Sequence, residues 1–191
     1  MTDGQKGAAE QQGQEQEKGK EQGQGKGPGG NRRLLVLGLG NEILSDDAVG
    51  ILLARKIQES LTAPDGWEVD FVEASLAGFN LLDLIAGYNA LVLVDSILTG
   101  KEEPGEVFEL DLDSLRATLR LSSVHDINLA TALKLGEELG MAMPEHVRIF
   151  VMEVIEISRF SEELTPAVRE ALPGAVARIT GAIGLMLEDI S

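Results

Sequence analysis

The sequence predicts an α/β protein, a single domain whose doubly wound, largely parallel sheet is flanked by helices. From residue 31 onward, short apolar runs alternate with segments of helical periodicity, the order expected of strands joined by helical crossovers. Several runs are apolar at every position, which indicates strands buried on both faces, as in parallel sheets. The 191 residues, 43% of them hydrophobic, can bury one sizeable core. We therefore assign residues 31–191 to one domain.

Residues 1–30 differ in composition from the rest of the chain. They consist almost entirely of Gly, Gln, Glu and Lys and contain no aromatic or β-branched apolar residue. Such a segment buries too little apolar surface to offset the entropy of ordering, so we expect a disordered tail. It lacks the apolar stretch of a secretory signal, and nowhere do eighteen apolar residues run uninterrupted. We expect a cytoplasmic protein without a membrane partner.

The first half of the domain predicts a βαβαβ series. Its expected elements are a strand at 34–37, a helix from 49 to about 61, a strand at 69–72, a short helix at 80–85 and a strand at 90–94. Asp46 and Asp47 stand just before the first helix, where an N-cap and first turn favour carboxylates.

The second half continues the alternation. Its expected elements are a strand at 108–112, a helix at 127–139, a strand at 147–155 and a final helix that opens at 165–166. Apolar and acidic residues alternate over 108–112, which favours a half-buried strand at the edge of the sheet. Thr165 and Pro166 suit a cap and first helical position, and Pro173–Gly174 predicts a kink in the final helix.

Composition limits the chemistry and the partners. The chain has no cysteine, so disulfides, thiolate metal sites and a Cys nucleophile are excluded, and carboxylates, histidines or hydroxyls must act. The formal net charge is -16, and residues 1–30 contribute five acids and four lysines, so nearly all of it belongs to the folded part. Nucleic acid and anionic lipid are normally bound by clustered Lys and Arg, so we expect neither as a partner.

Four polar residues are expected at the carboxyl ends of the strands, where ligands bind in sheets of this kind. They are Asp47 after the first strand, Glu73 after the second, Asp95 after the third and His125 before a helix. His146 precedes a strand, so we expect it on the opposite rim without a functional role.

Each candidate also has a purely structural interpretation. Asp47 could interact with a helix dipole, Asp95 could cap a loop through Ser96 or Thr99, and His125 could be a helix-start residue held by Asp126. The individual residues therefore decide little, and the longer motifs carry the assignment.

Three motifs in a fixed order resemble those of the hydrogenase maturation endopeptidases. They are G-x-G-N-x-x-x-x-D-D-x-x-G at 38–50, Leu-Val-Asp-Ser-Ile at 93–97 and Ser-Ser-Val-His-Asp at 122–126. A dinucleotide fingerprint fails, because Ile43 stands where it requires glycine. Peptidyl-tRNA hydrolases share Gly-Leu-Gly-Asn after a first strand, but their later motifs are absent here.

The resemblance implies a phosphorylase/hydrolase-like fold and an endopeptidase that removes the C-terminal extension of a [NiFe] hydrogenase large-subunit precursor. It implies that Asp47, Asp95 and His125 bind the Ni²⁺ that the precursor carries, with Glu73 nearby in an orienting or acid–base role. Two carboxylates and an imidazole suit such an ion. A chaperone that binds nickel or the precursor without cutting, and a peptidyl-tRNA-hydrolase-like enzyme, are the alternatives.

One segment departs from a common pattern of that family. Many members have Asp-Gly-Gly-Thr after the second strand, where this chain has Glu-Ala-Ser-Leu-Ala-Gly at 73–78. The type of hydrogenase that is processed therefore stays open.

Overall fold

The computed structural model describes residues 31–75, 80–110 and 126–190. Their strands form one five-stranded sheet in the order β2-β1-β3-β5-β4. The strands are β1 (Arg32–Leu39), β2 (Trp67–Ala74), β3 (Ala90–Ile97), β4 (Val107–Leu110) and β5 (His146–Glu153). Every pairing is parallel except that of β4 with β5. The predicted α/β class and the largely parallel sheet are confirmed, as is the edge position of β4.

Helices cover both faces of this sheet. They are a 3₁₀ turn (Ser45–Ala48), α1 (Val49–Ser60), α2 (Asn80–Ile85), α3 (Asp126–Glu138) and α4 (Pro166–Asp189). Apolar side chains of α1 and α4 pack on one face, and those of α2 and α3 pack on the other. The arrangement is the doubly wound one that the sequence predicts.

Strand β1 supplies both cores by alternation. Leu34 and Val36 are fully buried in the core beneath α1 and α4, and Leu35 and Leu37 are fully buried in the opposite core. Burying a leucine side chain contributes about 1.5–3 kcal/mol. The continuous apolar run therefore specifies a central position for β1, where neither face meets water.

Two strands extend further than their apolar runs indicate. β3 continues to Ile97, because β5 runs beside it as far as the pair Ile97↔Glu153. β2 likewise continues to Ala74, which pairs with Leu39. The prediction that Asp95 and Glu73 follow their strands was therefore wrong by a few residues, since both lie within the last residues of those strands.

The final helix begins as predicted, with Thr165 as the flanking residue and Pro166 in its first position. It continues through Pro173 to Asp189. Among the described residues, α4 alone is long and apolar enough to cross a membrane. This is weak evidence for a span, because a core helix passes the same test and α4 packs Val168, Leu172 and other apolar residues into the core.

Candidate active site

Glycines bring the loop after β1 against the carboxyl ends of the strands. Gly40 has φ +148°, and a Cβ there would lie 2.0 Å from the carbonyl oxygen of Asp47. At Gly50, a Cβ would lie 2.2 Å from the Leu39 carbonyl oxygen and 2.5 Å from that of Val94. The glycine spacing of the first motif therefore lets the loop fold onto itself and lets α1 begin directly against β1 and β3.

Asp46 fastens this loop from inside the protein. Its side chain is fully buried. Its carboxylate accepts hydrogen bonds from the Thr165 amide (2.7 Å), the Thr165 hydroxyl (3.0 Å) and, at longer range, the Ile155 amide (3.4 Å). The predicted N-cap is wrong, because no side-chain cap bond begins the 3₁₀ turn or α1. The Asp46 carboxylate instead binds Thr165, the residue that precedes α4.

Asp47 and Asp95 each accept a hydrogen bond from Ser96. The Ser96 hydroxyl donates to Oδ1 of Asp47 (3.2 Å), and the Ser96 amide donates to Oδ1 of Asp95 (2.7 Å). Asp95 is fully buried, whereas Asp47 is half-buried. The structure thus brings together the two acids that the sequence predicts at one rim, and it adds Ser96 as the link between them.

His125 lies outside the described residues. Its neighbour Asp126 begins α3, which packs Leu129 and Leu133 on one face of the sheet. Strand alternation directs Asp95 to that same face, because Leu91 and Leu93 lie in the same core. Helix α3 therefore lies on the face of the sheet toward which the Asp95 side chain is directed.

Ser45 holds the loop in an uncommon backbone conformation. Its φ of 47° lies in the left-handed region, which costs a residue with a side chain about 1–2 kcal/mol. Its amide donates to the Ser161 carbonyl (2.7 Å) and its hydroxyl to the Glu163 carbonyl (3.1 Å). Backbone strain sustained by surrounding bonds is typical of functional loops.

Glu73 faces the other side of the sheet from Asp95. Both of its carboxylate oxygens accept from Arg55 of α1, at 2.7 and 2.6 Å, and Arg55 also donates to Glu42 at 2.6 Å. These bonds raise the pKa of the Arg55 guanidinium above its ordinary value. The structure therefore places Glu73 in an ion-pair cluster that ties the first loop to β2, separate from the Asp47–Ser96–Asp95 group.

Glu153 was not among the candidate residues that the sequence indicated. It is buried at the end of β5, and its carboxylate accepts from the Thr99 amide (2.8 Å), the Thr99 hydroxyl (2.7 Å) and the Gly100 amide (2.8 Å). The loop after β3 is thus held by Glu153, whereas the sequence offered Asp95 as a cap for Thr99. The sequence signal that could have identified Glu153 is its position directly after the apolar residues of β5.

His146 opens β5 and is exposed at the amino ends of the strands, as predicted. Among the described residues, no three His, Cys, Asp or Glu side chains cluster as metal ligands. The described part of the candidate site therefore comprises two carboxylates and a serine.

The doubly wound sheet, with two carboxylates at the rim where ligands bind in such sheets, is typical of α/β enzymes. A family model for hydrogenase maturation proteases (HycI) matches residues 51–182. The chain belongs to this family and is a peptidase, a maturation endopeptidase that cleaves the C-terminus of a [NiFe] hydrogenase large-subunit precursor. This finding selects the endopeptidase over the chaperone and the peptidyl-tRNA-hydrolase-like enzyme.

Individual relatives agree with the family match. The hydrogenase 2 maturation protease of Escherichia coli (strain K12) is 28% identical over 152 residues, which cover 79% of this chain and 90% of that protein. The HupD hydrogenase expression/formation protein of Thiocapsa roseopersicina is 26% identical over 160 residues, or 83% of this chain and 67% of that protein.

Solved structures of the same kind superpose on the fold. The hydrogenase maturating endopeptidase HybD of E. coli gives a TM-score of 0.67 at 26% identity and covers 81% of this chain and 93% of its own. The [NiFe] hydrogenase maturation protease HybD of Thermococcus kodakarensis gives 0.58 at 28% identity, with 78% and 98% covered.

Proposed function

We propose that Asp47, Asp95 and His125 bind the nickel ion carried by the hydrogenase large-subunit precursor, and that this contact directs cleavage of the precursor's C-terminal extension. The observation that carries the proposal is the convergence of Asp47 and Asp95 on Ser96 at the carboxyl rim. The nickel is part of the substrate in this scheme. Because proteins of the family act in the cytoplasm, we propose that compartment for the reaction.

The hydrogen bonds of the neighbouring acids support Asp47 as the residue open to a cation. A carboxylate offers about four lone-pair positions. Asp46 and Glu153 each receive three hydrogen bonds, mostly from backbone amides, and so serve the scaffold. Asp47 receives one bond within the described part of the chain, from a hydroxyl. Two buried acids of similar chemistry are thus occupied, and Asp47 has capacity for a metal ion.

The chemistry of the donor set fits nickel. Carboxylate oxygens and an imidazole nitrogen are common ligands of borderline divalent ions. Three protein ligands leave coordination positions for groups of the substrate. A cation held there would polarise the scissile carbonyl or a water molecule, while Asp47 and Asp95 balance its charge.

For Glu73 we propose the orienting role. Both of its oxygens accept from Arg55, so its contribution is to fix the loop of the first motif through the Arg55–Glu42 contact. A group engaged in this way is poorly suited to transfer protons.

The test is cleavage of a large-subunit precursor from the same organism, followed by mass spectrometry. The nickel-loaded precursor should lose one C-terminal peptide, and the nickel-free precursor should stay intact. Asp47→Asn and Asp95→Asn preserve shape but remove the charge that offsets the cation, so each should lower cleavage by orders of magnitude. Release of the peptide without nickel would overturn the metal-directed mechanism.

The two histidines provide a matched control. His125→Ala should abolish nickel-dependent cleavage and weaken binding of Ni²⁺ measured by calorimetry, whereas His146→Ala should change neither, because His146 lies on the opposite rim. Equal losses for both variants would remove His125 from the proposed ligand set.

A further inference from the structure

Several exposed apolar side chains lie near the candidate site. Of the five large ones in the described part of the chain, three lie in the loops at the carboxyl rim: Ile43 (51% exposed), Ile155 (54%) and Phe160 (79%). Two others, Leu139 (63%) and Leu185 (64%), lie near the C-terminal ends of α3 and α4. We call the first three residues the rim patch.

The backbone makes Ile43 and Phe160 neighbours. Leu44 forms a parallel bridge with Ser161, in which the Ser161 amide donates to the Ile43 carbonyl at 3.0 Å. Ile43 and Phe160 each precede one of the bridged residues, so the backbone places them close together, and both are exposed, whereas Leu44 and Ser161 are only partly exposed.

The rim patch is continuous with the Asp47 loop. The Asp47 amide donates to the Leu44 carbonyl at 3.0 Å, directly beside Ile43. Ile155 joins from the other loop, because its amide faces the Asp46 carboxylate at 3.4 Å and the Asp46 amide donates to the Glu156 carbonyl at 3.0 Å. The loops that carry Ile43 and Ile155 are therefore joined to the loop that carries Asp47, so a polypeptide bound at Asp47 lies close to these apolar side chains.

The residues around the rim patch indicate which kind of polypeptide binds there. Residues 1–30 of this chain contain no large apolar side chain apart from Met1. A second copy would bring the same acidic surface, with Glu42, Glu162 and Glu163 exposed near the patch and a formal charge of -16 on each chain. A polypeptide segment with apolar side chains and few acids fits without repulsion.

We propose that Ile43, Ile155 and Phe160 form a docking surface for apolar side chains of the precursor polypeptide next to the bond that is cut. This inference rests on the proposed function for its substrate. The loops beneath the patch are braced by the buried Asp46 carboxylate and by Ser45, so the apolar side chains stand on a preformed support. Exposed apolar groups rimmed by charge are typical of such interaction sites.

The experiment measures kcat and KM for the nickel-loaded precursor with Phe160→Ala and Ile43→Ala. Leu139→Ala and Leu185→Ala are matched controls, since they remove exposed leucines near the C-terminal ends of α3 and α4, away from the patch. Loss of a phenylalanine that becomes buried on binding should raise KM about ten- to a hundredfold with kcat retained. Both controls should behave as wild type, and thermal unfolding should show all four variants folded.

A second measurement separates this inference from the proposed function. Binding of the nickel-free precursor, followed by interferometry, should weaken about tenfold or more in Phe160→Ala, because the docking contact needs no metal. If the wild type binds the nickel-free precursor in this way and also cleaves it, the proposed nickel-directed mechanism fails and the docking surface stands. If Phe160→Ala matches Leu185→Ala in both assays, the docking surface is refuted. A wild-type dimer that Phe160→Ala converts to a monomer in sedimentation would assign the patch to a second copy instead, and so overturn it.

Discussion

Replacing the two adjacent acids one at a time tests whether Asp46 serves stability and Asp47 serves the reaction. Asp46→Ala removes a buried carboxylate that binds the Thr165 amide and hydroxyl at 2.7 and 3.0 Å. Hydrogen bonds to a charged group contribute about 1.5–3 kcal/mol each. Thr165 is half-buried, so water replaces part of the loss. We expect a destabilisation of about 2–4 kcal/mol.

The thermal consequence follows from the size of the protein. A change of 1 kcal/mol shifts the unfolding midpoint by about 2–4 °C in a protein of 150–250 residues. Asp46→Ala should therefore lower Tm by roughly 4–16 °C. Asp47→Ala removes one bond, at 3.2 Å, from a half-buried side chain. We expect its cost to stay below about 1 kcal/mol.

Urea unfolding followed by circular dichroism gives the free energies, and cleavage of the precursor below both transitions gives the activities. Asp47→Ala should be nearly as stable as wild type yet inactive, and Asp46→Ala should be unstable but partly active while folded. A greater loss of stability in Asp47→Ala than in Asp46→Ala would refute the division of roles.

Three smaller predictions follow from single contacts. Ser96→Ala should lower kcat/KM about tenfold and Ser96→Thr should restore it; equal activities would contradict a positioning role for the hydroxyl. Gly50→Ala should cost about 3 kcal/mol or more in urea unfolding, because its Cβ would meet backbone at 2.2 Å, while Gly181→Ala, in open space, should be neutral or stabilising. Arg148 lowers the pKa of Glu109 below its ordinary 4.5, so the pair should stabilise above that pH and lose its effect as the pH falls through the folded pKa. Glu109→Gln should therefore differ from wild type by about 0.5 kcal/mol at pH 7 and by less at pH 3, since the pair is partly exposed.

The order of elements could be predicted because each element carries its own local signal. The run at 34–37 is apolar at every position, and this specifies a strand with both faces covered regardless of which strands flank it. The ends of strands carry no comparable signal. β3 extends past Asp95 only because β5 supplies pairing partners as far as Glu153, and those partners are more than fifty residues away in sequence.

The sequence predicts which residue types form the candidate site more readily than it predicts the role of each residue. Asp46 and Asp47 are adjacent and chemically identical, so no local pattern distinguishes them. What distinguishes them is Thr165, which lies 119 residues from Asp46 and donates two bonds to it. Glu73 is a similar case, because its role depends on Arg55, whose position across from β2 follows from the packing of α1.

The geometry of the 3₁₀ turn explains how two neighbouring acids come to serve different purposes. A 3₁₀ helix has three residues per turn, so successive side chains diverge by about 120°. Asp46 therefore points into the protein toward Thr165, while Asp47 points toward Ser96 at the rim. The left-handed conformation of Ser45 and the close approach of Gly40 to Asp47 set the direction in which this turn starts. The number of residues between the glycines and the two acids therefore matters, because adding one residue before the turn would move Asp46 to the position at the rim and Asp47 to the buried position of Ala48.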